Sequence, residues 1–480
     1  MGQRTRKNKR RKRGGKAIAA GGFGCVFDPY ITCGGDVDAG VAIAPYRSGS
    51  KVSKLMTTSD AITETDALKK IYSIVKTIPR FSNYFLFPMA MCPPAGFTLN
   101  DLVGYDVKCK KMAQQFPARR LLGSKPPAGL SILTMPHGGV ELYKHIQFTY
   151  DRPTPCAFVF AGLAALIEDA IVPMNDKGVC HGDLKAENIM LGANGHMRII
   201  DWGLGGIINK KAASLKAKFL ENRPFQFNVP FTLPLLGNFK DFYAKSPPIK
   251  NIVAAKEYPV EGNSYVAEVI NMFLARALGV TLNTGKLTGH LSYLEEDIVP
   301  VLFGGNTGTS ADVEASRSTF RFTVSDYLVN VVNEYTKKGK FMRDDYIKEV
   351  FMKNADIWGA LVSLISYVSP KATGLTATQR ATTLELLRKY LFSSEYATKP
   401  IPPKAVCLEL REIAASIMKP LSAMQVSREL PKPWVGMLHE ELGASVGRKS
   451  SKGKKTKKQK RCPNGTRRNK RTGDCEPINS

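Results

Sequence analysis

Asp183, Lys185 and Asn188 form a D-x-K-x-x-N run inside His181-Gly182-Asp183-Leu184-Lys185-Ala186-Glu187-Asn188, and Asp201-Trp202-Gly203 begins eighteen residues after Asp183. One carboxylate can orient an attacking hydroxyl and take its proton. An amide oxygen and a second carboxylate can hold a divalent cation, and a lysine can stand beside a moving phosphoryl group. The chemistry this spacing suits is metal-assisted phosphoryl transfer from a nucleotide.

Such groups work only if the surrounding elements aim them. Ile189 to Leu191 and Met197 to Ile200 read as two short strands that carry Asn188 and deliver Asp201. Upstream, Ile18 to Phe27 places Gly21, Gly22 and Gly24 between hydrophobic flanks, as a strand, tight turn and strand would. Glycines at such a turn let backbone N–H groups approach a phosphate without a Cβ clash. Lys51 to Met56 reads as the next strand. Ile62, Leu68, Ile71 and Ile74 are at helical spacing from Asp60 to Ile74, with Asp60 as the expected cap. Further strands are expected at Phe85 to Met91 and Ser131 to Met135. Helices are expected at Phe158 to Val172, Ala355 to Val368, 377 to 391 and 405 to 418.

These motifs together resemble the eukaryotic-type protein kinases over about 17 to 205 and again over 354 to 368. The resemblance implies an α+β, bilobal protein-kinase-like fold that uses ATP and Mg2+. It makes Asp183 the catalytic base, Lys185 the phosphate-contacting lysine, and Asn188 and Asp201 the metal ligands, with Trp202 where the family usually has Phe. Ala19-x-Gly21-x-x-Gly24-x-Val26 resembles the glycine-rich loop, with Ala19 in place of its first glycine. Lys54 matches the lysine that contacts the α- and β-phosphates, Lys51 being the alternative, and Glu64 its ion-pair partner. Met135 to Gly139 resembles the adenine hinge, with Met135 near the gatekeeper. Asn354-Ala355-Asp356-Ile357-Trp358-Gly359 resembles the helix that anchors the catalytic loop, so that Asp356, with His181, supports the loop. Lys185 points to the serine/threonine version of the loop, and with Asp356 it favours protein substrates over small molecules.

The departures are informative. His181-Gly182-Asp183 lacks the arginine that pairs with a phosphorylated activation loop in many kinases, and no Ala-Pro-Glu follows Asp201. Arg223-Pro224-Phe225-Gln226-Phe227-Asn228-Val229-Pro230-Phe231 stands there instead. Asp201 and Asp356 are 155 residues apart, which implies a folded insertion at about 237 to 345. The Lys-Leu-Met strand, the Arg-Pro-Phe-Gln-Phe-Asn segment and the Asp-Ile-Trp-Gly helix are similar to divergent kinases of giant nucleocytoplasmic DNA viruses. The 461–476 segment, with Cys462 and Cys475, is similar to a terminal module of many of their proteins. The expected division is a basic arm 1–16, an N-lobe 17–136, a C-lobe 137–440 and a basic tail 441–480. The resemblance implies host cytoplasm or virus factory, with virion packaging or nuclear entry as further addresses.

Composition adds one further class. The 480 residues hold 69 Lys plus Arg against 41 Asp plus Glu. Residues 1–16 carry nine basic and no acidic side chains, and 448–480 carry thirteen and two, so 22 − 2 = +20 of the total +28 is in the tails. Tails of that charge suit nucleic acid, an acidic partner or a nuclear address, so a nucleic-acid-binding protein acting through them is an alternative function. A pseudokinase scaffold is a third, although Lys54, Asp183, Asn188 and Asp201 are all present. No run of about 18 apolar residues is uninterrupted, so no transmembrane segment is expected. The N-terminus has neither a secretory signal nor the myristoylation pattern. Nine cysteines without a C-x-x-C, seven of them scattered singly through the body, suggest reduced thiols there.

Overall fold

The computed structural model describes residues 15–21, 24–34, 50–208, 220, 226–236, 299–303, 310–337, 340–447, 466–468 and 475–477. Residues 1–14 of the expected arm, Gly22, residues 237–298 of the expected insertion and most of the tail, Cys462 included, lie outside them. The protein is a mixed α/β structure, an N-terminal antiparallel sheet followed by helices.

The sheet contains β1 (Lys16–Gly21), β2 (Gly24–Asp28), β3 (Lys51–Thr57), β4 (Ala90–Cys92) and β5 (Leu130–Pro136), in the order β1-β2-β3-β5-β4. The glycine turn joins β1 to β2 as expected, with Gly21 paired to Gly24. Val26 of β2 lies opposite Lys54 of β3. Helix α1 (Thr58–Val75) follows β3 and buries Ala61, Leu68, Ile71 and Val75, a stripe at steps of three, four and seven. Its cap is Thr57, not Asp60. The Thr57 hydroxyl oxygen accepts from Asp60 N at 3.1 Å and its O–H donates to Asp60 Oδ2 at 2.7 Å, because a cap must precede the first helical turn to reach its free N–H groups. The strand expected over Phe85 to Met91 is shorter and later, at β4. Phe85, Leu86 and Phe87 are instead buried in an irregular run that faces the helical part of the chain.

Two disulfides bind this region. Cys25 of β2 joins Cys109, and Cys33 joins Cys92 of β4, with Cα separations of 5.5 and 5.7 Å. The Cys25–Cys109 bond holds the short helices Tyr105–Lys108 and Lys110–Gln115, which meet at Cys109, against the sheet. The expectation of reduced thiols therefore fails for four body cysteines. Their partners stand 84 and 59 residues apart, so nothing in local spacing pairs them. Cys156, Cys180 and Cys407 are buried thiols outside these two disulfides.

After β5 and β6 (Val140–Glu141) the chain is mainly helical. The expected core helix runs from Pro153 to Leu166 and continues through a wider turn, Ile167–Ile171, into Val172–Asp176. By composition the stretch Pro153–Asp176 could cross a membrane, but 83% of its most apolar window is buried inside the protein, as in a core helix. Helices Ala377–Leu387 and Pro403–Met418 match their expected ranges closely. Within the expected insertion, Ser310–Glu334 is one long helix whose Tyr327 and Leu328 are fully buried. The tail forms a separate unit, in which Thr466–Arg468 pairs antiparallel with Cys475–Pro477.

Replacing Cys33 and Cys92 together by serine should lower the unfolding free energy by about 2–4 kcal/mol in denaturant titrations. In denaturant without reductant, alkylation should reach Cys156, Cys180 and Cys407 and spare Cys25, Cys33, Cys92 and Cys109. A second expectation concerns His145, whose ring lies edge-on to Phe158 and Trp434 at 6.1 and 5.5 Å. Burial first, and Arg152 second, hold it down to about 4 from its ordinary 6.5. The unfolded chain thus binds a proton that the fold refuses in that window. Stability is full above pH 6.5 and falls as pH drops towards 4, by about 3 kcal/mol in total. Thermal melts across this range should flatten in His145→Phe.

Candidate functional site

The catalytic-loop candidates lie between β7 (Val179–Cys180) and β8 (Ile189–Leu191), and β8 pairs with β9 (Met197–Ile199). Asn188 folds back on the loop. Its Nδ2 donates to Asp183 O at 2.7 Å and to Asp183 Oδ2 at 3.2 Å. Lys185 Nζ stands 3.4 Å from the same Oδ2. One donor pair therefore holds one carboxylate oxygen, and the three expected residues are brought together in a single cluster.

The loop is held from beneath. Asp356 is fully buried on the helix Met352–Val362, and its Oδ2 accepts from His181 N at 2.9 Å and Asn175 Nδ2 at 2.8 Å, while Oδ1 accepts from Gly182 N at 2.8 Å. Gly182 sits at φ 66°, in the left-handed region that a side chain there would strain, so glycine suits the position where an arginine is absent. Gly359 of the same helix faces Leu184, and a Cβ on it would run into Leu184 O, which explains the glycine that closes Asp-Ile-Trp-Gly. His181 also supports the loop as expected. Its Nε2–H donates to Ile200 O at 2.9 Å and its Nδ1 accepts from Asp183 N at 3.4 Å, a pair of contacts that one tautomer satisfies.

Ile200 N donates to Asn188 O at 3.0 Å, which seats Asp201 directly beyond the loop. Asp201 adopts φ 58°, an uncommon conformation for a non-glycine residue, and its carboxylate belongs to an exposed residue at the head of the turn Trp202–Leu204. Trp202 is the anchor. Its indole N–H donates to Leu86 O at 3.2 Å, its ring stacks on Phe87 at 5.0 Å, and Phe87 meets Tyr72 of α1 edge-on at 5.5 Å. Trp202 thus ties the Asp201 turn to the Phe85–Phe87 run and, through Phe87, to α1.

In the sheet, Lys54 Nζ donates to both Glu64 oxygens at 2.8 Å, with the two side chains 10% and 14% exposed. Of the two candidate lysines, Lys54 is the one paired with Glu64, and Lys51 lies over the Tyr30 ring at 5.8 Å. Val26 and Gly24 flank Lys54 on β2, Gly21 closes the turn from β1, and Gly22 lies outside the described residues. Met135 is the last residue but one of β5, opposite Val52, and the turn after it includes Gly139.

Two residues of the site are not among those singled out from sequence. Asn175 donates to Asp356 Oδ2 and to Val179 O at 3.0 Å, fixing the carboxylate that fixes the loop. Asn228 donates to Asp183 Oδ1 at 2.9 Å and to Leu184 O at 3.2 Å. Its position in Arg-Pro-Phe-Gln-Phe-Asn was the available signal. Trp358 Nε1 donates to Phe227 O at 2.8 Å, so one helix grips both the loop and this segment.

No protein-family model matches the chain, and no curated protein is similar to it. The chemistry of the site therefore rests on its own residues.

Oxygen ligands in the form of one amide and one exposed carboxylate suit Mg2+, which keeps waters and substrate phosphates around few protein groups. With its Nδ2 committed to Asp183, Asn188 leaves Oδ1 as the amide oxygen that could hold such an ion, and Asp201 is the residue that would supply the carboxylate. Asp356→Ala removes the acceptor of two buried backbone N–H groups and of one of the two Asn175 amide contacts. It should cost at least ~3 kcal/mol in chemical denaturation, against a small effect for an exposed carboxylate such as Asp66→Ala.

Proposed function

We propose that this protein is an ATP-dependent protein serine/threonine kinase of the bilobal kinase type, resembling those of giant DNA viruses. The observation that carries the reading is the cluster in which Asn188 and Lys185 hold the Asp183 carboxylate, with Asp356 clamping the loop below it. The Lys54–Glu64 pair adds the cation that would align the α- and β-phosphates. On this reading the sheet region is the N-lobe, the helical region is the C-lobe, and the Met135–Gly139 turn is the adenine hinge.

In the reaction, Asp183 orients the acceptor hydroxyl and takes its proton. Lys185 neutralises charge on the transferring phosphoryl, and Lys54 positions the nucleotide. Asn188 and Asp201 are the residues that would hold Mg2+, which would supply positive charge to offset that of the phosphates. Most of the rate enhancement comes from positioning and preorganised charge, which is why the loop is clamped so heavily. The two disulfides fit a mature protein that meets an oxidising environment, as a virion-packaged enzyme would.

Incubation with magnesium and γ-labelled ATP should transfer label to serine or threonine of the protein itself or of a generic basic protein. Asp183→Asn and Asp201→Asn should each lower that transfer at least about a hundredfold while leaving the thermal midpoint near wild type. Absence of transfer by folded wild type that binds ATP would argue against the enzyme and for a scaffold.

A further inference from the structure

Both oxygens of the Asp183 carboxylate have donors, and they come from different parts of the chain. Oδ2 is held from within the loop by Asn188 and Lys185, while Oδ1 is held at 2.9 Å by Asn228, 45 residues downstream. We infer that Asn228 is a positioning residue for the phosphoryl-transfer step, fixing the rotation of the Asp183 carboxylate so that one oxygen faces the acceptor hydroxyl. This inference rests on the kinase reading given above.

Three features carry it. Asn228 is only 4% exposed, and its carbonyl Oδ1 is buried without a donor among the described residues. A buried acceptor in that state is destabilising, so packing alone does not account for an asparagine here. Its Nδ2, by contrast, is fully used, on Asp183 Oδ1 and Leu184 O. The value of the side chain lies in its donor end.

The backbone that carries Asn228 is held on both sides. Phe227 O takes the Trp358 indole N–H, two residues along the helix from Asp356. Phe231, fully buried, meets Trp358 edge-on at 5.1 Å, and Phe320 and Tyr327 of the inserted helix Ser310–Glu334 at 5.8 and 5.5 Å. The loop and the Asn228 segment are thus referred to one rigid helix, and the insertion contributes two of the rings that keep the segment seated. A neutral amide also suits this role electrostatically. It donates to the carboxylate without adding a charge that would compete with Lys185 or the metal for the phosphoryl group.

The test is a double-mutant cycle on phosphotransfer. Asn228→Ala should lower kcat by roughly 10–100-fold with the KM for ATP changed less than about twofold, because the nucleotide contacts are elsewhere. In an Asp183→Asn background the same change should cost less than about twofold of the residual rate, since the group through which Asn228 acts is already gone. Asn228→Asp, which keeps shape and replaces the donor by an acceptor, should lose at least as much as Asn228→Ala and serves if the alanine variant does not fold. Equal losses in both backgrounds, or a kcat within twofold of wild type, would overturn the inference while leaving the enzyme reading intact. No transfer by wild type would remove both.

Discussion

The buried carboxylate of Asp356 is the group on which the site's geometry depends. It lies out of reach of solvent and takes two consecutive backbone N–H groups, those of His181 and Gly182, plus the Asn175 amide. A buried carboxylate with no lysine or arginine ion pair among the described residues is tolerable when donors fill its lone pairs, as the two backbone N–H groups and the Asn175 amide do here. The consequence is geometric. The two adjacent peptide groups that meet at His181 aim their N–H bonds at this one carboxylate, and Gly182, in the left-handed region, turns the chain immediately after them. The turn in turn aims Asp183 away from the helix and towards Asn188 and Lys185.

A second tie sets the sheet against this loop. Strand pairing alone would leave the Lys54–Glu64 pair and the Asp183 cluster as unrelated features of one chain. The run Phe85 to Phe87 relates them, since Leu86 N donates to Ile199 O at 3.1 Å and Leu86 O receives the Trp202 indole. Tryptophan does here what a phenyl ring could not, because it adds a hydrogen bond to the stacking contact. The irregular backbone of that run is the result of serving two partners at once, β9 on one side and Trp202 on the other.

How far the site could be read from the sequence follows from how far apart its parts lie along the chain. Asp183, Lys185, Asn188 and Asp201 fall within nineteen residues, and their spacing alone brings them to one loop and one strand pair. The helix α1 and the long helix Pro403–Met418 were legible for a similar reason, since a periodic apolar stripe is a local property. The disulfides and Asn228 were not. Each joins residues 45 or more apart, and nothing near either partner marks the other. The strand expected at Phe85 to Met91 failed for a different reason. A short run of buried apolar residues has the composition of a strand whether its backbone pairs in a sheet or bends to meet two neighbours. The kinase resemblance supplied Glu64 and Asp356, which spacing alone would have left among many exposed or buried carboxylates.

Leu236 and Arg343, at the two ends of the expected insertion, are neighbours. Arg343 Nε donates to Leu236 O at 2.6 Å, so residues 107 apart are neighbours in space. An excursion whose two ends meet places little demand on its own length, because the entropy of closing a loop grows only with the logarithm of its size. Chain can be gained or lost between these ends without shifting the frame that holds the 181–188 loop only where Phe320 and Tyr327 stay seated on Phe231 and Val299, Leu302, Val324 and Leu328 stay in the core. The pinch at Leu236 and Arg343 is therefore a seam, at which the two ends of a long stretch are closed on each other through one backbone acceptor.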